Sequence, residues 1–332
     1  MKKLNFLLIP KSNNFRDIII INDIANELKK KGHNCLNLTC QINDENLIFL
    51  LSQTKIDVVF RVNKGKPENI KKNIRFICWV TDVSDLKNLS NYNEKDIIYT
   101  LKKCDEINKK IKIFQMLPAM NTFKKIKPLS YYKLQNKIQS YQNIDFSFVS
   151  NYTATDLFTG NRKLVVHKNE INFKKHKAIE KLITNLNKKF ITQSYGLIDY
   201  SKNLEKNNIV FQGNISNFNF FFEIFRISKF NILFEDEYLD FNTNFFNILL
   251  VEGTLLLKSK LFEKIREYLE LEEDSSNYFL KYSDSESFKF HISHYHNNLN
   301  KRLKIGKKAG NLIRKKHTYQ IRIRKILSDL EF

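Results

Sequence analysis

FNILLVEGTLLL, residues 246–257, is the stretch on which the fold turns. Its first part has the apolar density of a buried helix, Gly253 breaks it, and TLLL then offers an apolar strand. Downstream come YSDSESFKFHISHY (282–295), a tyrosine followed by a short acidic loop and a helix, and then KKAGNLIRKKHTYQIRIRKIL (307–327). Upstream, the same alternation of strand and helix signals runs back to the first residues.

LNFLLIP (4–10) reads as a buried strand, and DIIIINDIANELKKKG (17–32) as a helix with basic residues in its last turn and a glycine stop. HNCLNLT, the short helix DENLIFLLSQ, IDVVFRV (56–62), IRFICWVTD (74–82), DIIYTL (96–101) and IKIFQML (111–117) continue the series. A second series opens at IDFSFVSN (144–151). It passes through a basic helix near 162–188, then KFITQSYG, NIVFQG (208–213), the helix FFEIFRIS and KFNILFE (229–235). Between the two, residues 122–145 carry no strand pattern. Such alternation implies parallel sheets covered by helices on both faces, with ligands beyond the carboxyl ends of the strands. No short repeat is visible, which argues against a solenoid.

The chain has 332 residues, beyond the usual size of one core, and its 42% hydrophobic content with 28 Phe is ample for two. Cys35, Cys40, Cys78 and Cys104 show no metal-like spacing and read as reduced thiols of a cytoplasmic protein. The apolar run in MKKLNFLLIPKSNN is too short for a signal peptide and no segment approaches the length of a transmembrane helix. The formal charge of +21 favours anionic partners, although abundant Lys, Asn and Ile also fit a base-composition bias.

The order of parts resembles the CgeB-like (spore maturation) branch of the group 1 glycosyltransferases. Its closing block is matched by Gly253, Tyr282, and the His317, Thr318, Tyr319 and Arg322 set. Further matches are WVTD (79–82), the Leu-Pro segment MLPAMNTFKKIKP, IDFSFVSN with Ser150 where the family has glycine, Arg162, SYG with Tyr195 and Gly196, and FQGNIS with Gly213. The resemblance implies an α/β chain of GT-B type: two Rossmann-like domains facing across a cleft. The first, acceptor-side domain spans 1–125, a linker 126–143, and the nucleotide-sugar domain 144–332, whose terminal helix packs back on the first domain. One departure is large. Where the family carries an arginine and an acid on the helix before the glycine, this chain has Asn244 and Asn247. An amide still hydrogen-bonds a hydroxyl, without the strength of a charged partner.

What the resemblance implies for chemistry is transfer of a sugar from a nucleotide-diphosphate donor, such as a UDP- or GDP-sugar, to an unknown glycan, lipid-linked or protein acceptor. Retaining stereochemistry follows from group 1 membership; the residues leave retaining and inverting open. Candidate donor contacts are Gly253, Thr254, Asn244, Asn247, Arg162, Lys163, Gly213 and Tyr282. Gly253 would let backbone approach the diphosphate, against the plainer reading of a turn. Arg162 and Lys163 would offset the leaving charge, against that of a solvated first turn. Asp82, at the end of the fourth strand, is the candidate base, against that of a helix N-cap. No Asp-x-Asp is present, since EDE (235–237) has Asp in the middle, so no metal and no further cofactor is expected. His291, His294 and His296 cluster but lack a zinc spacing and read as a surface helix. His317 reads as orienting the terminal helix.

The basic C-terminal run is read first as a solvated helix face, second as a peripheral contact with an anionic membrane at the inner face, and third as a nucleic-acid grip. A nucleic-acid partner is disfavoured because no known module accompanies the run. The rival function is a GT-B binding or scaffold protein that has lost the donor-site acid.

Overall fold

A computed structural model describes residues 2–13, 15–81, 83–86, 89–102, 111–119, 127–134, 142–149, 174, 177–186, 190–195, 209–212, 218–233, 244–269, 271 and 277–331. The chain divides into two units. Unit 1 is built from Met1–Asn121 and His317–Phe332, unit 2 from Thr122–Tyr238 and Thr243–Lys316.

In unit 1, β1 (Asn5–Ile9), β2 (Asn34–Asn37), β3 (Val58–Val62), β4 (Arg75–Val80), β5 (Ile97–Thr100) and β6 (Lys112–Gln115) form one parallel sheet in the order β2-β1-β3-β4-β5-β6. Strands β3 and β5 are buried at every residue, and β4 at all but its first, which is why they read as unbroken apolar runs rather than as alternation. Helices α1 (Phe15–Lys30) and α9 (Tyr319–Glu331) cover one face, packing Ile21, Ile24, Tyr319 and Ile323 with Phe6, Phe60 and Trp79. Helix α2 (Asp44–Gln53) covers the other with Leu47 and Leu51. The one charge in the middle of β3, Arg61, is fully buried. Its guanidinium donates to Asp44 Oδ1 (3.0 Å), Ile42 O (2.8 Å) and Gly65 O (3.2 Å). Trp79 is core, its indole donating to Met116 O.

The last helix is joined to this unit by the His-Thr-Tyr block. Arg322 donates from Nε to Leu117 O (2.8 Å) and from Nη2 to Pro118 O (3.3 Å), and its Nη2 lies 2.9 Å from His317 Nδ1. His317, expected to orient the helix, contacts Arg322 within the same segment, and it is Arg322 that reaches the Leu-Pro residues.

Unit 2 holds β7 (Ile144–Val149), β8 (Thr192–Tyr195), β9 (Ile209–Phe211), β10 (Ser228–Ile232), β11 (Leu255–Lys258) and β12 (Leu280–Tyr282) in a parallel sheet ordered β12-β11-β10-β7-β8-β9. Its described helices are α3 (Leu129–Leu134), α4 (Phe218–Ile227), α5 (Asn244–Leu250), α6 (Ser259–Tyr268), α7 (Ser285–Tyr295) and α8 (Leu299–Lys316), with a further helical stretch at 177–184. Most of the expected helix at 162–188, the linker beyond Leu134 and EDE (235–237) lie outside the described residues.

Helix α5 is buried on all sides and ends in a paired closure: Gly253 N donates to Ile248 O (2.9 Å) and Glu252 N to Leu249 O (3.0 Å). The left-handed residue of that closure is Glu252 (φ 63°), not the glycine after it. Helix α8 lies against this turn through Gly306 and Gly310. A Cβ on Gly306 would sit 2.1 Å from Glu252 O, and one on Gly310 3.0 Å from Leu249 O. Gly306→Ala is therefore expected to push α8 off the turn and destabilise unit 2 by about 3 kcal/mol. A lowered urea midpoint with unchanged slope would show it, and wild-type stability would refute the contact.

At the amino ends of β7, β8 and β10, Asp145 gathers three donors. Its Oδ2 accepts from Ile191 N (2.8 Å), its Oδ1 from Lys229 Nζ (2.8 Å) and His296 Nε2 (2.7 Å). Burial alone would raise this carboxyl, but the hydrogen bonds from His296, Lys229 and Ile191 hold it down at about 2, against an ordinary 3.8. A depressed carboxylate stabilises fully above its unfolded value and loses that contribution as pH falls through its folded one. Some 2 kcal/mol should thus disappear between about pH 4 and pH 2. Denaturant titrations across that window should show the slope in the wild type and lose it in Asp145→Asn.

Candidate functional site

In each sheet the strand order reverses once, and ligands of open parallel sheets bind beyond the carboxyl ends at that point. The reversal falls between β1 and β3 in unit 1 and between β7 and β10 in unit 2. Both points are marked by a side-chain amide. In unit 1, Gln41 Nε2 bridges the strand-end carbonyls Pro10 O (2.5 Å) and Val62 O (3.1 Å). In unit 2, Asn244 Nδ2 donates to Val149 O (2.8 Å) at the end of β7. Each amide uses its NH2 group on the backbone and leaves its oxygen buried and without a partner among the described residues, as does Asn63 just after β3. Buried acceptors of this kind are costly unless a donor reaches them, and a hydroxyl or a base N–H meets that need. Asn63 takes a left-handed conformation (φ 56°), which asparagine tolerates better than most residues, with its N–H held by Trp79 O (2.8 Å).

Of the helix N-termini at the carboxyl edge of unit 2, those of α6 and α7 differ in charge. Helix α7 follows the tyrosine and acidic loop, and Asp284 closes it: Asp284 Oδ1 accepts from Ser287 N (2.8 Å) while Ser287 Oγ accepts from Asp284 N (3.1 Å). Hydrogen bonds from Ser287 and Ser283 hold the Asp284 carboxyl down at about 2, so a negative charge already occupies this helix end. Helix α6 has no side-chain cap. Lys258 stands at its N-cap, with Ser259 and Lys260 next, and both lysines are exposed at the end of β11. Free N–H groups, the helix dipole and two ammonium groups make this the anion-receptive end.

The residues singled out from the sequence fall in different places. Asn244 sits at the reversal point. Asn247, one turn on, is buried at 7% exposure on the same helix. Gly253 and Thr254 lie ahead of β11, at its amino end, and both are buried. The space a Cβ would take at Gly253 is filled by Asn231 Nδ2 (2.9 Å) and Ile248 Cγ2 (3.0 Å), so the glycine serves packing and is not open to a diphosphate. Thr254 is fully buried and its carbonyl accepts from Asn231 N. Tyr282 is core: burial pushes its hydroxyl up to about 12, and its ring meets Phe288 edge to face at 5.2 Å. The donor-contact reading of these three is corrected accordingly. Asp82, Arg162, Lys163 and Gly213 lie outside the described residues.

The neighbouring histidines diverge. His291 Nε2 contacts Lys281 O (2.6 Å), His294 Nε2 contacts Lys301 Nζ (2.6 Å), and His296 serves Asp145. A cavity of about 1150 Å3 in unit 1, lined by Lys66, Tyr92, Lys95 and Lys112 among others, opens at the amino ends of β4 to β6. That is the wrong edge for a ligand of this sheet type.

No protein-family model and no curated protein matches the sequence. Solved structures do match over the whole chain. A glycosyltransferase from Rickettsia africae ESF-5 superposes with TM-score 0.61 at 12% identity, covering 100% of this chain and 98% of its own. Sucrose-phosphate synthase from Thermosynechococcus elongatus gives 0.57 at 9% identity, with 99% of each chain covered. An alpha-glucosyltransferase in complex with UDP gives 0.57 at 10% identity, covering 99% of this chain and 100% of its own. At these identities the likeness shows the fold, which is that of the GT-B glycosyltransferases.

The burial of Asn247 sets a test. Asn247→Glu would place a carboxylate in the packing of α5, so a loss of stability on the order of 2 kcal/mol with no gain in nucleotide affinity is expected. Tighter nucleotide binding at unchanged thermal midpoint would instead mean that position 247 faces the ligand.

Proposed function

We propose that this protein is a glycosyltransferase that takes a nucleotide-diphosphate sugar in unit 2 and binds its acceptor in unit 1. The observation behind the reading is the agreement of the whole chain, both sheets included, with solved glycosyltransferases. UDP in one of those structures supports a nucleotide donor. The order of the sequence motifs supports the CgeB-like branch of group 1, and with it metal-independent chemistry.

On this reading Asn244, itself buried, fixes the end of β7 beside the nucleoside by donating to Val149 O. The α6 N-terminus with Lys258 and Lys260 receives the diphosphate and stabilises it as it leaves, since preorganised charge is the main source of stabilisation in such steps. Gln41 Oε1 and Asn63 Oδ1 accept from acceptor hydroxyls in unit 1. Asp82 remains the candidate base, and Arg162 and Lys163 candidate partners of the leaving phosphates. Neutral amides at the donor reversal point give weaker, less charge-dependent contacts than the acid of the resembled family.

Calorimetric titration with UDP, GDP and their sugars tests binding, and release of free nucleotide from the sugar donor tests turnover. Binding without turnover against any hydroxylic acceptor would assign the chain to the scaffold alternative, and absence of nucleotide binding would overturn the proposal. Lys258→Glu isolates the anion site. A negative residue at a helix N-cap favours the dipole, so the helix should not suffer. Nucleoside-diphosphate affinity should fall about tenfold with the thermal midpoint unchanged or slightly raised, while affinity for the uncharged nucleoside should not change.

A further inference from the structure

Helix α8 sorts its cations by type. It has no acidic residue over Leu299–Lys316. Both of its arginines turn inward: Arg302 is 3% exposed and donates to Gln142 Oε1 (2.5 Å), and Arg314 pairs with Glu252 (2.8 Å). The exposed face is lysine. Lys301, Lys304, Lys308 and Lys315 follow one another at steps of three, four and seven residues with Asn311 between, and Lys307 flanks them. At 1.5 Å rise per residue the row is about 21 Å long and straight. A composition bias toward lysine does not explain why arginine is kept off this face and acid off the whole helix.

At the start of the row stands an apolar tip. Phe290 on α7 is 61% exposed, and His294 stacks on one side of its ring (5.6 Å between centroids, 9° between planes). His294 in turn lies 2.6 Å from Lys301 Nζ, which ties the aromatic pair to the lysine row.

We infer that the α7–α8 face of unit 2 docks on an anionic lipid bilayer, with Phe290 inserted among the headgroups and the α8 lysines lying along the surface. Flexible ammonium groups on long apolar stems suit a plane of diffuse negative charge. A nucleic-acid strand would call for arginine forks and an open ring face between the cations, and here Arg302 is buried, Arg314 is engaged by Glu252 and one face of Phe290 is covered. The inference does not rest on the sugar-transfer reading, and its test reads neither nucleotide nor sugar.

Sedimentation of the full chain with phosphatidylcholine vesicles, with and without phosphatidylglycerol, provides the test. Binding to the anionic vesicles alone, released by high salt, is expected. Lys304→Gln, Lys307→Gln and Lys315→Gln together should lower the partition coefficient roughly hundredfold, about fivefold for each lysine. Lys2→Gln, Lys3→Gln and Lys55→Gln, exposed lysines of unit 1, make the same change in net charge and should lower it far less. Phe290→Trp should shift its emission to the blue on anionic vesicles. Failure to bind those vesicles, equal loss in the two triple variants, or unchanged emission would each overturn the inference. So would duplex DNA that binds more tightly than the vesicles through the same three lysines.

Discussion

Unit 2 is organised around the carboxylate of Glu252. This residue closes α5 in the left-handed conformation, where a Cβ costs roughly 1–2 kcal/mol and glycine is the usual occupant. It is 1% exposed, so its charge must also be met. Oε1 pairs with Arg314 Nη2 (2.8 Å) and Oε2 accepts from Ser130 N (3.0 Å), while Leu129 N reaches the adjacent Val251 O (2.9 Å). One side chain therefore ties the turn after α5 to Ser130 N at the start of α3 and to Arg314 in the last turns of α8. Glycine would relieve the backbone and lose both side-chain contacts, which is a physical reason for glutamate at a position where local conformation favours glycine.

The position of the candidate site follows from that anchor. With the end of α5 fixed by Glu252 and clasped by Gly306 and Gly310, the other end of this short helix is set as well, and it delivers Asn244 to the end of β7. Unit 1 reaches an equivalent arrangement by another route, with Gln41 from the loop after β2 spanning the ends of β1 and β3. Both sheets thus present a neutral acceptor at the point where topology opens a crevice. Gln41 belongs to no recognisable motif, and Asn244 departs from the family helix it aligns with.

That difference explains what could be read in the sequence. Both sheets were legible because strands buried on two faces, such as VVFRV in β3 and RFICWV in β4, appear as continuous apolar runs between lysine-rich segments. Asn244 was reachable through the resemblance to a family helix. Gly253 drew attention as a glycine in a turn, but the left-handed residue was the glutamate before it, and no propensity marks glutamate for that role. The spacing of Gly306 and Gly310, one helical turn apart, holds a signal of close helix approach. Gln41 and Asn63 gave none. The Asp145 cluster was invisible too, since Ile191, Lys229 and His296 come together only through the fold.

The excess positive charge is also less uniform than composition suggests. Arginines are largely consumed inside: Arg61 in β3, Arg302 beneath α7, Arg314 on Glu252, Arg322 on the Leu-Pro segment. A planar fork satisfies several carbonyls at once and tolerates burial, whereas an ammonium group is strongly hydrated and stays at the surface. The lysines are therefore left to set the external field, at Lys258 and Lys260 by the uncapped α6 and along the outer face of α8. With asparagine rather than a carboxylate at Asn247, that position adds no negative charge to oppose the field in unit 2. Recognition of an anionic ligand there would consequently depend on surface lysines and backbone N–H groups, and should be more sensitive to ionic strength than a site built on buried ion pairs.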